Sequence, residues 1–455
     1  MYQHFIFLTS QKFACFGFVL AFLVSVLAIF PVQASAPITL QQAIDLAIKN
    51  DPWLTANHQQ QQATLAQRTA VAQLPDPKMS LSLNNLPMSS LSFDQEAMTQ
   101  LKVGISQQFP RGDELNIKRS KLNAQAAQHP AQQANRRALL TNQLTTLWLQ
   151  AFLAEQQIAL IEDDKVLFQQ LVETTQANYS SALGNTRQQD MIQAQLALTR
   201  LADRLVTYQQ HAAMAASQIA TLIGTNEYSA VNTAPFQLAK VWPTLSAQQQ
   251  TWLNSGVTLT QHELYLQLQT HPTVQNSKQA ITVAKHDIDL AEQAYQPQWG
   301  INASYGYRDD APNGLMGDSS RDDFFSIGVS FDLPLFTNKK QDQQLNAAKL
   351  TTESVKTEQL LLIKQLMAAT RAKAQQLNTL NQRDRLYQSQ LLHQIKQQSD
   401  ATLSAYTHDD GDFSEVIRAR IAALNAAIDA LTIKVERYQT VFDLQYYLNA
   451  EYTEY

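Results

Sequence analysis

Four short segments of strict alternation limit what this chain can fold into. Met79, Leu81 and Leu83 alternate with Ser80, Ser82 and Asn84, and Leu101, Val103 and Ile105 with Lys102, Gly104 and Ser106. Further on, Ile301, Ala303, Tyr305 and Tyr307 alternate with Asn302, Ser304, Gly306 and Arg308. The last segment sets Phe325, Ile327, Val329, Phe331 and Leu333 against Ser326, Gly328, Ser330 and Asp332. A period of two puts all the apolar side chains on one face of an extended strand. Strands are therefore predicted at about 78–86, 100–109, 298–308 and 323–334. A second face that is small or polar is the pattern of barrel strands lying between lipid and water. Four strands cannot close such a barrel, for which about eight is the observed minimum, and open edges are not tolerated in hydrocarbon. The chain is thus expected to oligomerise, two copies giving eight strands and three giving twelve. A hairpin half-buried on helices alternates as well, so strands that cap a helical scaffold and never meet lipid form the competing reading.

The rest of the chain reads as long helices, and its landmarks occur twice. Ile38-Thr39-Leu40 opens a helix running towards Pro77, and Val257-Thr258-Leu259 opens another running towards Pro297. VGISQQFP ends at Pro110 and IGVSFDLP at Pro334, while the segment holding Tyr179 and Gly184 echoes the one holding Tyr406 and Gly411. The order is kept and the offset drifts only from 219 (Ile38 to Val257) to 227 (Tyr179 to Tyr406), as in an internal tandem duplication. The two repeats are set at 35–256 and 257–455, each a helix, two strands and a long helical hairpin with its tip near 184 or 411. Gly112 to Tyr179 and Asn338 to Tyr406 are rich in Ala, Gln and Leu with hardly any Gly or Pro, which predicts rods of about 100 Å. Their apolar stripe, as in Leu140, Leu144, Leu147, Ile158 and Ile161, suits coiled-coil packing with the other face wet. Pro130 is expected to interrupt the first rod.

Residues 13–30 form one apolar run, preceded by Lys12 and followed by PVQASA, which reads as a secretory leader, 1–34, cleaved after Ala34. Cys15, the only cysteine, lies inside it, so the mature chain is expected to lack disulfides and cysteine ligands. No second apolar run of about 18 residues follows, so any membrane contact must be made by strands. The net charge of −5, with no basic cluster interleaved with aromatics, argues against nucleic acid as a partner. No catalytic motif stands in a fitting strand-helix context, and the chain is read as a non-enzyme without catalytic residues, metal ligands or cofactor. The acidic run Glu162-Asp163-Asp164 reads as a solvated helix face.

ITLQQAIDLAIKNDPWL at 38–54, LPDPKMSLSLNNLP at 74–87, VGISQQFPRG at 103–112, YQPQWGINASYGY and FSIGVSFDLPLF together resemble the TolC-like outer-membrane efflux proteins over almost the whole mature length. The resemblance implies a mixed α and β membrane protein, a homotrimer that shares a twelve-stranded transmembrane barrel and continues as a helical coiled-coil tunnel through the periplasm. It implies location in the outer membrane, among its lipid, with a periplasmic adaptor and an inner-membrane RND-type pump as partners. The tip turns, where such adaptors dock, would be Tyr179, Leu183, Gly184 and Asn185 in the first repeat and Tyr406, Asp410, Gly411 and Asp412 in the second. Gly at each turn is expected to supply positive φ. Asp190, Glu415, Arg418 and Arg420 are the candidate periplasmic gate, with an arginine–carboxylate lock between subunits as one form of it. The strand motifs look like the branch serving heavy-metal pumps of the copper/silver or cobalt-zinc-cadmium type; drug efflux and type I protein secretion use similar ducts.

Overall fold

The computed structural model describes residues 37–180, 187–224, 238–239, 241–310, 320–408 and 411–448. The expected leader, and the tip residues Leu183, Gly184, Asn185 and Asp410, lie outside the described residues.

The chain opens with α1 (Leu40–Asn50) and α2 (Pro52–Val71) where one helix was expected. Pro52 cannot donate to the preceding turn, so the first helix stops at Asp51. The Asp51 carboxylate then caps α2, accepting from the Trp53 and Leu54 amides at 2.6 and 3.2 Å. The helix expected to run from Val257 towards Pro297 breaks the same way. It is split into α7 (Gln261–Leu268) and α8 (Pro272–Gln293), with His271 as the cap before Pro272. An unanticipated short helix, α6 (Ala247–Ser255), precedes α7.

The four strands form where alternation places them: β1 (Lys78–Asn84), β2 (Gln100–Phe109), β3 (Trp299–Tyr307) and β4 (Phe324–Phe331). They make one antiparallel sheet in the order β1-β2-β3-β4. The fourth strand ends three residues before the expected boundary at Pro334. At the next position the Asp332 amide still donates to the Gln298 carbonyl at 3.3 Å, but the Gln298 amide donates to the Asp332 carboxylate at 2.6 Å instead of to a backbone carbonyl, and that carboxylate also accepts from the Arg111 guanidinium.

After the first hairpin come α3 (Glu114–Ala126), α4 (Gln128–Ser180) and α5 (Gln188–Ile223). The break between α3 and α4 falls at Ala127, three residues before Pro130, whose ring would collide with the Ala126 carbonyl; Gln61 Nε2 lies 3.5 Å from that oxygen. The second hairpin leads into α9 (Gln341–Leu386), one π-helical turn (Tyr387–Leu391), α10 (Leu392–Thr407) and the return helix α11 (Phe413–Leu448).

Burial is spread along these rods instead of being gathered in one globule. One cluster packs Ala43 and Ile44 of α1 on Leu144 and Trp148 of α4 and Ile219 of α5. A second joins α6, α7, α9 and α11 through Trp252, Leu264, Leu377 and Leu444. A third, towards the hairpin ends, gathers Ile161, Phe168, Leu201, Phe413 and Leu424. Each fully buried Leu, Ile or Phe contributes about 1.5–3 kcal/mol, so the helical stack is held at several levels by contacts far apart in sequence. Among the described residues no helix is long and apolar enough to cross a membrane.

Candidate functional site

The sheet has two chemically opposite faces, fixed by register. Leu81 sits opposite Val103, Val103 opposite Tyr305, and Tyr305 opposite Phe325, so the apolar side chains form rows across all four strands. These rows are bare: Leu81 is 69% exposed, Ile327 72% and Val329 61%. Among the described residues no helix covers them. A monomer in water would expose this contiguous apolar surface, and such a patch marks a contact with membrane or protein.

The other face carries Ser80, Gly104, Ser304 and Ser326 in one row and Ser82, Lys102, Gly306 and Phe324 in the next, the Phe324 ring being covered by the Arg308 guanidinium. Its glycines leave room for neighbouring polar side chains. A methyl group at Gly104 would lie 2.8 Å from Ser80 Oγ, and one at Gly328 2.5 Å from Asn302 Oδ1. The face is therefore thin, polar and close-fitting, as a water-facing wall requires. Among the described residues β1 and β4 each pair on one side only.

Beyond the strands, the two outer loops are tied together. Arg321 donates to the carbonyls of Asp94 and Glu96 at 3.2 and 3.3 Å, Arg308 to Ala97 at 3.2 Å, and Phe93 stacks on Tyr307. At the inner end, Arg111 clasps Asp332 and the Gln296 carbonyl (2.7 Å), joining the end of the first hairpin to both strands of the second. This clasp was not singled out from sequence, because its partners are 221 residues apart.

At the second tip, Tyr406 meets Phe413 edge-on at 5.5 Å, and Asp412 caps α11 by accepting from the Ser414 amide at 2.9 Å. Gly411 does not take positive φ, contrary to expectation; the positive-φ glycines among the described residues are Gly112, Gly224 and Gly256. Its requirement is space. A methyl group there would lie 2.8 Å from the Tyr406 amide nitrogen and 3.0 Å from the Ala405 carbonyl carbon, both backbone atoms that cannot swing aside. Tyr179, on the last turn of α4, is half exposed.

The four candidate gate residues do not converge within one chain. Asp190 accepts from the Arg187 amide at 2.9 Å and caps α5, Glu415 is exposed in the first turn of α11, and Arg418 bonds back to the Ser414 carbonyl at 3.2 Å. Arg420 instead lies near Asp164 of α4. Burial pushes the Asp164 carboxyl above its ordinary value, and the Arg420 charge pulls it part of the way back. Asp164 is thus the residue that the reading of 162–164 as a solvated face missed; the run alone does not show which of its three carboxylates turns towards α11. Among the described residues no group of three or more His, Cys, Asp or Glu is placed to hold a metal ion.

The whole arrangement of four-stranded sheet and long helical hairpins matches solved structures. The outer-membrane channel OprN superposes with a TM-score of 0.72 at 15% identity over 90% of each chain. CusC, studied for the conformational changes of folding and transmembrane channel formation, gives 0.71 at 16% identity over 90% of this chain and 91% of its own. The outer-membrane protein VceC of Vibrio cholerae gives 0.70 at 15% identity over 90% and 95%. The fold is that of outer-membrane channels. No protein-family model and no curated protein matches the sequence.

Proposed function

We propose that the chain is the outer-membrane channel subunit of a tripartite efflux system, a passive duct from periplasm to exterior. One observation carries this: an open, two-faced sheet whose bare apolar rows are continuous across four strands and whose two edges lack partners among the described residues. In lipid such a sheet must close with others. The reading is three copies, twelve strands and a tunnel of helices in the periplasm, each chain built from two tandem repeats. The resemblance to TolC-like proteins and the fold shared with OprN, CusC and VceC support it. A periplasmic adaptor docking at the tips near Tyr179 and Tyr406, and an RND-type pump supplying the energy, complete the proposal, with Asp190, Glu415, Arg418 and Arg420 at the entrance. Passive conduction needs no tight site, since tight binding slows release.

Heavy-metal cations are the second, finer reading of the cargo. It rests on the strand motifs alone, since CusC is no more similar to this chain than OprN or VceC. The soft ligands give it little: Met79 is on the apolar face and 78% exposed, where lipid is expected. Deleting the gene separates the cargoes. Copper or zinc sensitivity supports metal efflux, drug sensitivity alone supports the broader duct, and unchanged tolerance to both with loss of a secreted protein supports secretion. The duct itself is tested by extraction: it should require detergent and run as a heat-labile oligomer, whereas release by carbonate as a monomer would overturn it.

A further inference from the structure

A lysine within a membrane strand is costly on the lipid side, so it belongs on the water side. Lys78 and Lys102 both lie there. On the polar face Lys78 stands in the row of Ser106, Asn302 and Gly328, and Lys102 in that of Ser82, Gly306 and Phe324. Within the four strands this face carries those two cations and no carboxylate. Among the described residues neither ammonium has a hydrogen-bond or ion-pair partner. We propose that the water-facing wall of the barrel is an electrostatic filter, set by Lys78 and Lys102, that favours anionic solutes over cations. The inference rests on the duct reading and deepens it by naming the charge class of the cargo.

The carboxylates around the sheet do not cancel the two charges. Asp332, just past β4, is clasped by Arg111 and accepts from the Gln298 amide. Asp323, just before β4, falls by alternation on the apolar side, where the Tyr305 hydroxyl and the Arg308 amide donate to it. Arg308 is itself the next cation outward, its guanidinium 3.8 Å from the Phe324 ring centre. The row between the two lysines runs from Ser80 to Ser326, and Asp76 and Asp322 stand four residues along the chain from its ends. Four extended residues span about 13 Å, more than the Debye length of about 10 Å at 0.1 M salt. Ser80, by contrast, is two residues from Lys78 and diagonal to Lys102, about 7–8 Å from each. Two unit charges at that range in water, screened over that length, together favour a monovalent anion over a monovalent cation about sixfold. The same field lowers the local concentration of a divalent cation about sixfold, which weighs against free metal ions as the cargo.

Charged thiol reagents test the filter in the full-length protein in membranes, with Cys15→Ser and with Ser80→Cys as reporter on the polar face. Two water-soluble methanethiosulfonates are timed against that thiol, one bearing a sulfonate and the other a trimethylammonium group. The thiolate displaces methanesulfinate from each, so the ratio of the two rates cancels the thiolate fraction. Adding Lys78→Gln and Lys102→Gln should lower the sulfonate-to-ammonium ratio about sixfold at about 0.1 M salt, while Lys78→Arg with Lys102→Arg should hold it. At about 1 M salt, where the Debye length is about 3 Å, the difference should vanish. An unchanged ratio in the glutamine variant, or an equal loss in the arginine variant, overturns the proposal. Should the double variant fail to assemble, Lys102→Gln alone should lower the ratio about 2.4-fold, and no change there overturns the proposal equally. Leu81→Cys separates this inference from the duct reading. Shielded by lipid, it should react with neither reagent. Labelling at position 81 as fast as at position 80 sinks the duct reading and the filter with it, whereas a protected position 81 beside a reporter indifferent to the lysines sinks the filter alone.

Discussion

Leu81 and Ser80 are adjacent on β1 but belong to opposite faces, and replacing each by Lys separates lipid from water. Leu81 is the fourth of the seven residues of β1, in the row that runs through Val103, Tyr305 and Phe325, which places it near the middle of the apolar band. A lysine at the midplane on the lipid face of a barrel costs about 2–4 kcal/mol, hence about 6–12 kcal/mol for a ring of three copies. Ser80 faces the polar side, where a lysine can extend into water, and its replacement should stay within about 0.5 kcal/mol. A sheet in water on both sides gives a different result: Leu81, 69% exposed, would then tolerate lysine as readily as Ser80 does. The assay is equilibrium folding into phosphatidylcholine vesicles, followed by denaturant titration and by the heat-lability of the oligomer on gels. Equal behaviour of the two variants, or a neutral Leu81→Lys, would refute the assignment of faces.

Three further outcomes follow from the helical part. Arg437 bonds Asn381 (2.7 Å), Asp384 and the Leu253 carbonyl (3.0 Å) between α11, α9 and α6, with both charged side chains mostly buried; Arg437→Ala leaves Asp384 unpaired and should cost about 3–5 kcal/mol in denaturant unfolding monitored by circular dichroism. His271 is fully buried and its Nδ1 accepts from the Thr273 amide at 3.3 Å, and burial holds the imidazole below its ordinary value of 6.5. Because the folded state disfavours the proton, the contribution of His271 is present above 6.5 and is lost as pH falls through the lowered folded value; His271→Asn, which keeps a capping acceptor, should flatten that part of the stability–pH curve. Gly411→Ala forces a methyl group onto the Tyr406 and Ala405 backbone and should open the second tip at a cost of about 1–3 kcal/mol, seen as faster proteolysis near 411 with the oligomer's heat stability unchanged.

The strands were legible because alternation is a local signal, read within a few residues, and their starts fall within one residue of expectation. Strand ends were less so, since β4 stops where Arg111, far away in sequence, captures Asp332. Both helix breaks at Asp51-Pro52 and His271-Pro272 carry their cause in the sequence, yet the repeated landmarks were read as one helix each, running on to Pro77 and Pro297. The π turn at Tyr387–Leu391 has no Gly or Pro to announce it. Of the candidate site, the apolar rows were visible and the influence of the Arg420 charge on Asp164 was not, because only packing of α11 on α4 brings them near each other.

The central claim is that three copies of this chain close one barrel. Native mass spectrometry of the protein released from detergent micelles tests it most directly. The account predicts a single species of three chains that separates into monomers only on heating. A monomer, or a stable species of two chains, would contradict it.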